Sequence, residues 1–425
     1  MSCDIVLGGQ WGDEGKAKII DFLSKDYDII CRFQGGANAG HTVVAGGKKF
    51  VFHLIPSGIL YPGKICVLGN GLVIDLSSLT DEIKYLESQN ISFSDRLKIS
   101  TLAHVVLPYH ILLDKARENK SSNKIGTTHR GIGPAYTDKF LRCGIRIADL
   151  LNPDKLEEKI KESIYEKKVL FQNAYSGQSI PEPSVVCETI LKLFEPLKKY
   201  AIHTPYFLNT SIRQNKSVLM EGAQGAGLDI DFGSYPYVTS SNTTCGGAVT
   251  GSGVGLKNFS NIIGVFKAYI TRVGGGRLPT ALEENNMKVL REAGGEYGAT
   301  TGRPRNCGWF DGVQAKYAVI INSLTQIALT KIDIFDQYKK IYFCRAYKIK
   351  GKETSEFPSS IEDFTNADPV YMEFDGWESP IAGITDYKKL PDTAKKYLDF
   401  IQEYTGCPVG IVSTGPGRED TLLCS

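Results

Sequence analysis

The sequence feature that most constrains the fold is a glycine-rich segment close to the N-terminus. Residues 3–8 are apolar and predict a strand, and residues 16–25 carry apolar side chains at helical spacing. Between them lies Gly8-Gly9-Gln10-Trp11-Gly12-Asp13-Glu14-Gly15-Lys16. The backbone N–H groups of such a turn, with the N-terminus of the following helix, form an anion site. The segment predicts a phosphate-binding turn; the alternative is a tight turn with a solvated Asp13–Glu14 pair.

This segment differs from the two common nucleotide-binding motifs. The pattern GxxxxGK[ST] would need Gly at position 10 and Ser or Thr at position 17, where the chain has Gln10 and Ala17. The pattern GxGxxG of dinucleotide-binding folds is also absent from it. Because the hydroxyl that usually binds Mg²⁺ is missing, a metal needs another oxygen, which the carboxylate of Asp13 can provide.

Apolar segments alternate with amphipathic segments along the rest of the chain. The further predicted strands are residues 28–33, 65–69, 218–221, 262–265, 327–330 and 409–413. The predicted helices are residues 105–119, 155–169, 185–199, 312–321 and 393–404, and residues 43–54 predict a hairpin that turns at Gly46-Gly47. The alternation predicts an α/β fold with a mainly parallel central sheet, flanking helices and a P-loop-like nucleotide site. Because segments near residues 331 and 413 must join the N-terminal turn, we expect residues 1–425 to form a single large domain.

Composition excludes several classes of protein. The 49 basic and 47 acidic residues give a net charge of +2, too balanced for binding nucleic acid through bulk charge. No apolar run approaches the roughly 18 residues of a membrane span. The ten cysteines show no CxxC spacing, so we expect free thiols rather than a zinc ribbon. No secretory signal precedes the first predicted strand, and we expect the protein in the cytoplasm.

Other segments carry side chains suited to catalysis or binding. His41 lies in the glycine-rich residues 34–42, where it can reach a phosphoryl oxygen or donate a proton, although a lone histidine is more often structural. Gln224 can orient a purine oxygen or be a satisfied loop amide. Arg303 and Arg305 can bind carboxylates or form a surface turn. Asp333 follows a predicted strand and can accept hydrogen bonds from guanine N1–H and N2–H₂, which adenine does not offer.

Taken together, the segments resemble the adenylosuccinate synthetase family. The motifs that carry the resemblance are QWGDEGK at 10–16, QGGANAGHT at 34–42, HLIPSG at 53–58, GTTHRGIGP at 126–134, EGAQG at 221–225, YPYVTSSNTT at 235–244, GATTGRPR at 298–305 and STGP at 413–416. They cover nearly the whole chain in the family's order and are weakest in 152–200 and 345–395. The resemblance implies a ligase that uses GTP to join IMP and L-aspartate. Adenylosuccinate, GDP and phosphate form through 6-phosphoryl-IMP, on the route from IMP to AMP.

The resemblance also implies catalytic and nucleotide-binding residues. The catalytic residues would be Asp13 as the base on purine N1, Lys16 and His41 at the transferring phosphoryl group, and Gln224 at the purine. Mg²⁺ would be bound by the Asp13 carboxylate and the Gly40 carbonyl. The GTP-binding residues would be Gly12, Asp13, Glu14, Gly15, Lys16, Ala17, Lys18, Gly40, His41, Thr42, Lys331, Ile332, Asp333, Ser413, Thr414 and Gly415, with guanine-side segments at 330–333 and 413–415.

The resemblance also implies which residues bind the other two substrates, IMP and aspartate. The IMP-binding residues would be Asp13, Glu14, Gly15, Lys16, Asn38, Ala39, Gly40, His41, Thr128, Arg142, Gln224, Thr239 and Arg303. The aspartate-binding residues would be Ala299, Thr300, Thr301, Gly302, Arg303, Pro304 and Arg305.

The basic segment 115–146 has two interpretations. The resemblance implies a homodimer in which Arg142 reaches the IMP phosphate in the neighbouring subunit; the alternative is a solvated basic face. The chain also departs from the family pattern at Ala17, where Gly is usual, and at Asn306, where a basic residue is frequent. We expect activity to survive these differences, and they leave the nucleotide affinity open.

Two other classes of protein remain open from the sequence. A GTP-binding switch would explain the phosphate turn and residues 330–333, but not 34–42, 235–244 or 298–305. A nicotinamide oxidoreductase fits the predicted fold class but lacks the glycine fingerprint. Phosphate release that depends on both IMP and aspartate separates the ligase from the switch, and NADH absorbance tests the oxidoreductase.

Overall fold

The fold is built on strands distributed along the whole chain. The computed structural model describes residues 3–122, 124–175, 179–298 and 302–424. In chain order the strands are β1 (Cys3–Gly8), β2 (Ile29–Arg32), β3 (His41–Ala45), β4 (Lys48–Phe52), β5 (Ile65–Leu68), β6 (Val73–Ile74), β7 (Leu97–Ser100), β8 (His104–Val105), β9 (Ala201–Ile202), β10 (Val218–Glu221), β11 (Phe259–Lys267), β12 (Ile270–Arg272), β13 (Asn306–Gly308), β14 (Phe310–Asp311), β15 (Gln326–Thr330), β16 (Lys340–Ile349), β17 (Lys352–Thr354), β18 (Asp368–Asp375), β19 (Val409–Ser413) and β20 (Thr421–Leu423).

Helices connect and cover these strands. In chain order they are α1 (Lys16–Ser24), α2 (Leu76–Ser88), α3 (Pro108–Lys120), α4 (Ile132–Leu141), α5 (Ile147–Leu150), α6 (Leu156–Ala174), α7 (Pro183–Phe194), α8 (Thr204–Arg213), α9 (Cys245–Ser252), α10 (Glu284–Gly294), α11 (Gly312–Asn322), α12 (Ile361–Thr365) and α13 (Asp392–Thr405). Local chemistry fixes several ends: the Asp75 side chain caps α2 by accepting from Ser77 N at 3.1 Å, and Gly406 ends α13 at a φ of 69°. In the described part of the chain, no helix has both the length and the apolar character needed to cross a membrane.

Ten strands form one sheet in the order β20–β19–β15–β11–β1–β10–β2–β5–β7–β9. All neighbours are parallel except β19 and β20. The predicted mainly parallel central sheet is therefore confirmed. Smaller sheets join β3 with β4, β6 with β8, β12 with β13, and β16 with β14, β17 and β18.

The central strands are buried on both faces. Every residue of β1 is buried, as expected of a parallel strand covered by helices on both sides. Val6 packs into one core cluster with Ile19 and Ile30, whereas Ile5 and Leu7 pack into the cluster on the other face. Alternate residues of a strand point to opposite faces, so an unbroken apolar run supplies both cores.

The sheet also places the predicted binding segments together. Strands β1, β2, β10, β15 and β19 run parallel, so the turns that follow them lie at one edge of the sheet. Ligands of open α/β sheets bind at this carboxyl edge. The turns at this edge are residues 9–15, 33–40, 222–225, 331–333 and 414–415.

Two predicted helices differ from the structure. The helix expected over residues 105–119 begins at Pro108, because Val105 pairs in β8 and proline suits the first helical turn. The helix expected over residues 185–199 is α7 followed by a 3₁₀ segment, Glu195–Tyr200. Pro196 accounts for the change, because it has no N–H to continue α-helical hydrogen bonding. The hairpin turning at Gly46-Gly47 is confirmed by the pairing of β3 with β4.

Candidate active site

The phosphate turn joins β1 directly to α1. Gly12, Asp13 and Gly15 have φ values of 87°, 59° and 84°, so the turn has a left-handed backbone at three of four successive positions. Gly15 is the N-cap of α1 and has no side chain to satisfy the first helical N–H groups. The turn therefore presents backbone donors at a helix N-terminus, the arrangement that binds an anion.

Glu14 stabilises the turn from inside. Its fully buried Oε1 accepts from the backbone N–H groups of Gln10 at 3.1 Å and Gly12 at 2.8 Å. Its Oε2 lies 2.5 Å from Lys16 Nζ. The carboxylate of Glu14 thus braces the turn, while Lys16 places a cation at the start of α1.

His41 lies at the start of β3 beside a second buried carboxylate. Its Nδ1 lies 2.6 Å from Glu221 Oε1, and both side chains are buried. Glu221 Oε2 accepts from the backbone N–H of Ser57 at 3.2 Å and from its hydroxyl at 3.3 Å. Burial lowers the pKa of His41, and the neighbouring Glu221 carboxylate only partly opposes this.

A cavity of about 590 Å³ opens above these turns. Many residues predicted to bind nucleotide or aspartate line it. They are Gly12, Asp13, Gly15, Lys16, Ala17, Asn38, Ala39, Gly40, His41, Thr42, Thr128, Gln224, Thr239, Arg303 and Arg305. The fold therefore brings residues separated by up to about 290 positions into one concave surface, the usual form of a small-molecule site.

Buried polar atoms without partners mark part of the cavity wall. Within the described residues, Asn38 Oδ1, His41 Nε2, Thr239 Oγ1 and both amide atoms of Gln224 are buried and lack a hydrogen-bond partner. Gln224 is also held at a φ of 56°, which is uncommon for a residue other than glycine. Leaving buried polar groups unpaired is costly, and native folds leave few. Their convergence on one cavity indicates a polar ligand.

The arginines of the predicted aspartate loop reach two other segments. Arg305 Nε lies 2.8 Å from Asp13 Oδ2, and Arg305 Nη1 lies 2.5 Å from Glu296 Oε2. Arg303 Nη2 donates to the carbonyl of Gly126 at 3.2 Å. Gly302 and Pro304 belong to the same loop, and the predicted residues Ala299, Thr300 and Thr301 lie outside the described residues.

The two predicted guanine-side segments lie next to each other, outside the lining of this cavity. Lys18 Nζ joins the 413–415 segment to α1 by donating to Ser413 Oγ at 2.6 Å and to the carbonyls of Gly415 at 2.5 Å and Asp420 at 2.8 Å. Thr330 Oγ1 donates to the carbonyl of Glu14 at 2.5 Å, which joins the end of β15 to the phosphate turn. Ile332 and Asp333 follow Lys331 after β15, and Thr414 lies between Ser413 and Gly415.

Arg142 lies away from the cavity of its own chain. It is exposed at the C-terminal end of α4, where its φ is 66°. The preceding Phe140 and Leu141 are also exposed, at 70% and 57%. Arg142 is not among the residues that line the cavity.

Some residues of the cavity were missed by the sequence interpretation. Asp114 Oδ2 accepts from Gly131 N at 3.0 Å, and Glu118 Oε1 accepts from Gly126 N at 2.7 Å. These two carboxylates hold the 126–131 segment, and their spacing of four on a predicted helix puts them on one face. Arg272 was also missed; its only signal was a charge inside an apolar run, and its Nη1 donates to Ser234 Oγ at 2.9 Å.

Comparisons with known proteins show which family the chain is similar to. The model of the family described as adenylosuccinate synthetase matches residues 5–422. The adenylosuccinate synthetase of Thermodesulfovibrio yellowstonii is 47% identical over 423 residues, covering 100% of this chain and 99% of the relative. That of Acetivibrio thermocellus is 48% identical over 426 residues, covering 100% of both.

A solved structure extends the likeness to three dimensions. The structure of the fully ligated adenylosuccinate synthetase of Plasmodium falciparum superposes on this chain with a TM-score of 0.94 and 39% sequence identity. The match covers 100% of both chains. The family model matches nearly the whole sequence, the relatives are almost one half identical, and the solved structure has the same fold. The chain therefore belongs to the adenylosuccinate synthetase family.

Proposed function

We propose that the chain joins IMP and L-aspartate at the expense of GTP, giving adenylosuccinate, GDP and phosphate. Its family membership makes it a GTP-dependent ligase of purine nucleotide biosynthesis. The observation that carries the assignment of the site is the convergence of unpaired polar atoms of Asn38, His41, Gln224 and Thr239 beside the phosphate turn. We also propose that residues 1–425 act as one domain, since β1 and β20 share a sheet.

In the first step, Asp13 takes the N1 proton of IMP, and the 6-oxygen attacks the γ-phosphorus of GTP. The bond from the γ-phosphorus to GDP breaks, and 6-phosphoryl-IMP forms. Lys16 and the N–H groups of the turn offset the charge of the transferring group. The Nδ1 of His41 faces the accepting Glu221 carboxylate and carries the ring proton, so Nε2 is the nitrogen left for the cavity, and it donates to a phosphoryl oxygen only when the ring is doubly protonated.

In the second step, the amine of aspartate attacks C6 of the purine. The C6–N bond forms, the C6–O bond breaks, and phosphate leaves with the oxygen that IMP supplied and with the proton that the attacking amine loses. Arg303 suits a substrate carboxylate because its guanidinium can bind two oxygens at once. Gln224 orients the purine, and Asn38, Thr128 and Thr239 supply neutral groups for the rest of IMP.

We propose that Mg²⁺ binds in the cavity together with a nucleotide. Within the described residues, no group of three or more histidines, cysteines and carboxylates could bind a metal alone. The Asp13 carboxylate and the Gly40 carbonyl both line the cavity and provide hard oxygen ligands, so the other ligands would be phosphate oxygens and water. When bound, Mg²⁺ would neutralise phosphate charge.

We further propose a homodimer in which Arg142 binds the IMP phosphate of the neighbouring subunit. Its exposure, and that of Phe140 and Leu141 beside it, support this assignment. We place the enzyme in the cytoplasm, in keeping with its cysteines, which are free thiols throughout the described residues and suit a reducing compartment.

A substrate-omission assay with product mass tests the proposed reaction. Adenylosuccinate and GDP should appear only when GTP, IMP and aspartate are all present, and NADH absorbance should stay constant. Phosphate release from GTP that proceeds equally without IMP and aspartate would identify a GTP switch and overturn the proposal.

A further inference from the structure

A group of buried charges lies between the predicted binding segments, and its central carboxylate has no role in the steps above. We name it the Glu296 cluster: Glu296, Lys267, Tyr269, Arg305 and Lys331. Glu296 Oε1 lies 3.1 Å from Lys267 Nζ and 2.8 Å from Lys331 Nζ, and accepts from Tyr269 Oη at 2.5 Å. Its Oε2 accepts from Arg305 Nη1 at 2.5 Å. Glu296 and Lys267 are both fully buried.

The cluster lies at the base of the predicted aspartate loop. Glu296 follows α10, and its carbonyl accepts from the backbone N–H of Arg305 at 3.0 Å. One step into the loop, Gly298 N donates to the Arg303 carbonyl at 2.8 Å. Glu296 and Arg305 are therefore joined by both backbone and side chain.

The same carboxylate reaches two segments that are distant in sequence. Lys331 follows β15 and begins the guanine-side segment, and its Nζ also donates to the Gly294 carbonyl at 2.6 Å. On the other side, Arg305 Nε lies 2.8 Å from Asp13 Oδ2. The ion pairs thus run without a break from Lys331 through Glu296 and Arg305 to Asp13.

The charges of the cluster make it sensitive to the loss of Glu296. Burial alone would raise the pKa of Glu296, but Lys267, Lys331 and Arg305 outweigh it and hold the pKa well below its usual range. Three cations thus surround one ionised carboxylate. Removing one partner of a buried ion pair leaves the other uncompensated, so the cations would separate or admit water.

We propose that Glu296 is a positioning residue that couples the guanine-side segment to the aspartate loop and to Asp13. A guanine nucleotide that contacts Lys331 thereby acts through Glu296 on Arg305, one of the residues proposed to bind aspartate. This inference rests on the proposed function for the identity of the substrates. It assigns Glu296 no contact with a reacting atom.

The test is a double-mutant cycle in the KM for aspartate, measured as adenylosuccinate formation at saturating GTP and IMP. Glu296→Gln keeps the shape of the side chain and removes its charge. We expect it to raise the KM for aspartate about tenfold, as for loss of a charge-assisted contact. Lys331→Met should raise this KM in the wild-type background and add nothing in the Glu296→Gln background. Glu284→Gln, an exposed change on the same helix α10, should leave the KM unchanged.

A second variant separates coupling from folding. In Glu296→Gln with Lys267→Met, the fully buried cation is removed together with its partner, so stability should recover while the KM for aspartate stays raised. The proposal is overturned if Lys331→Met multiplies the KM equally in both backgrounds, if the double variant has a wild-type KM, or if the double variant also fails to fold. Failure of the proposed function is distinct, because the unmodified protein would then form no adenylosuccinate.

Discussion

At the scale of single residues, the proposed mechanism gives one exposed carboxylate, that of Asp13, two roles: base and metal ligand. Its left-handed φ of 59° holds it inside the phosphate turn, and Arg305 contacts it at 2.8 Å. A base at this position must be free to take a proton, and a metal ligand must keep its charge. Glu14, its neighbour, is buried and bonded to the turn itself, so it cannot substitute for Asp13.

Asp13→Ala should abolish turnover and leave the fold intact. Losing a general base costs roughly 10²–10⁴ in rate, and losing the metal ligand adds to it. Steady-state formation of adenylosuccinate measures the loss, and circular dichroism checks the fold. Asp81→Ala, an exposed change on α2, is the matched control. Near-normal turnover of the Asp13 variant would remove this residue from the mechanism.

Asp333 should determine the choice of GTP over ATP. A carboxylate placed for guanine N1–H and N2–H₂ is left unpaired by adenine, which costs on the order of 1–3 kcal/mol. Asp333→Asn should weaken the use of GTP and improve that of XTP, because xanthine has an acceptor in place of the guanine amino group. The comparison is kcat/KM for the two nucleotides. Unchanged GTP use with no gain for XTP would show that another group reads the base.

Asp138 should control stability in acid. Its Oδ1 lies 2.8 Å from Lys167 Nζ and its Oδ2 lies 3.0 Å from His110 Nε2. Burial would raise the pKa of Asp138, but His110 and Lys167 outweigh it and lower the pKa. Because the folded pKa lies below the unfolded value of about 3.9, this stabilisation is present at neutral pH and is lost as pH falls below about 4.

The corresponding variant is Asp138→Asn. It should lower the unfolding free energy at pH 7 by roughly 3–5 kcal/mol, because the buried lysine loses its partner. The deficit relative to wild type should shrink when urea unfolding is repeated near pH 3. A constant deficit at both pH values would mean that the carboxylate does not titrate with folding.

At the scale of elements, helix α9 shows how packing overrides local preference. Three of its eight residues are glycine, which disfavours a helix. A Cβ added at Gly251 would lie 2.0 Å from the carbonyl oxygen of Phe33, and one at Gly247 would lie 2.2 Å from that of Asn242. The helix can therefore approach the turn after β2 only because these side chains are absent.

Two substitutions in α9 should have opposite effects. Gly251→Ala should destabilise the protein by about 1–3 kcal/mol, because the backbone must move to admit the methyl group. Gly246→Ala, which meets no atom within 4 Å, should stabilise by about 0.5–1 kcal/mol through higher helix propensity. Urea unfolding measures both. Equal effects of the two changes would contradict the close packing at Gly251.

The elements differ in how far sequence could predict them. The apolar runs of β1, β10 and β19 have the predicted bounds, because strands buried on both faces leave a continuous signal. Helix α9 was not predicted, since its glycines resemble a loop. Strands β16–β18 were not predicted either, because polar side chains interrupt their apolar pattern. The motif residues of the cavity were found through the resemblance, whereas Arg272 and Glu296 depend on contacts that only the fold creates.

At the scale of the whole molecule, the sheet explains why one site needs segments from so much of the chain. The strands nearest the site, β1, β10, β2, β11, β15 and β19, begin at residues from 3 to 409, yet their carboxyl ends share one edge. The turns after β1, β2 and β10 line the cavity, whereas the turns after β15 and β19 lie at the same edge outside its lining. Arg142 lies apart from this edge: it follows α4 and is exposed, outside the cavity lining.

Mixing two inactive variants should restore activity if Arg142 acts across a dimer. In a heterodimer of Arg142→Leu and Asp13→Ala, one site receives both wild-type Asp13 and wild-type Arg142, as two-fold symmetry requires. After the subunits exchange, turnover should rise in proportion to the fraction of sites that carry both wild-type residues. If exchange is demonstrated and the mixture stays as inactive as its parents, Arg142 does not act in the neighbouring site.

The most direct test of the two-step reaction follows one oxygen atom. IMP labelled with ¹⁸O at the 6-position is incubated with the enzyme, GTP and aspartate, and the released phosphate is analysed by mass. Because the 6-oxygen attacks the γ-phosphorus before the amine displaces it, every phosphate released should carry one ¹⁸O from IMP. Unlabelled phosphate, with adenylosuccinate formed at the same rate, would contradict the phosphorylation of IMP at this site.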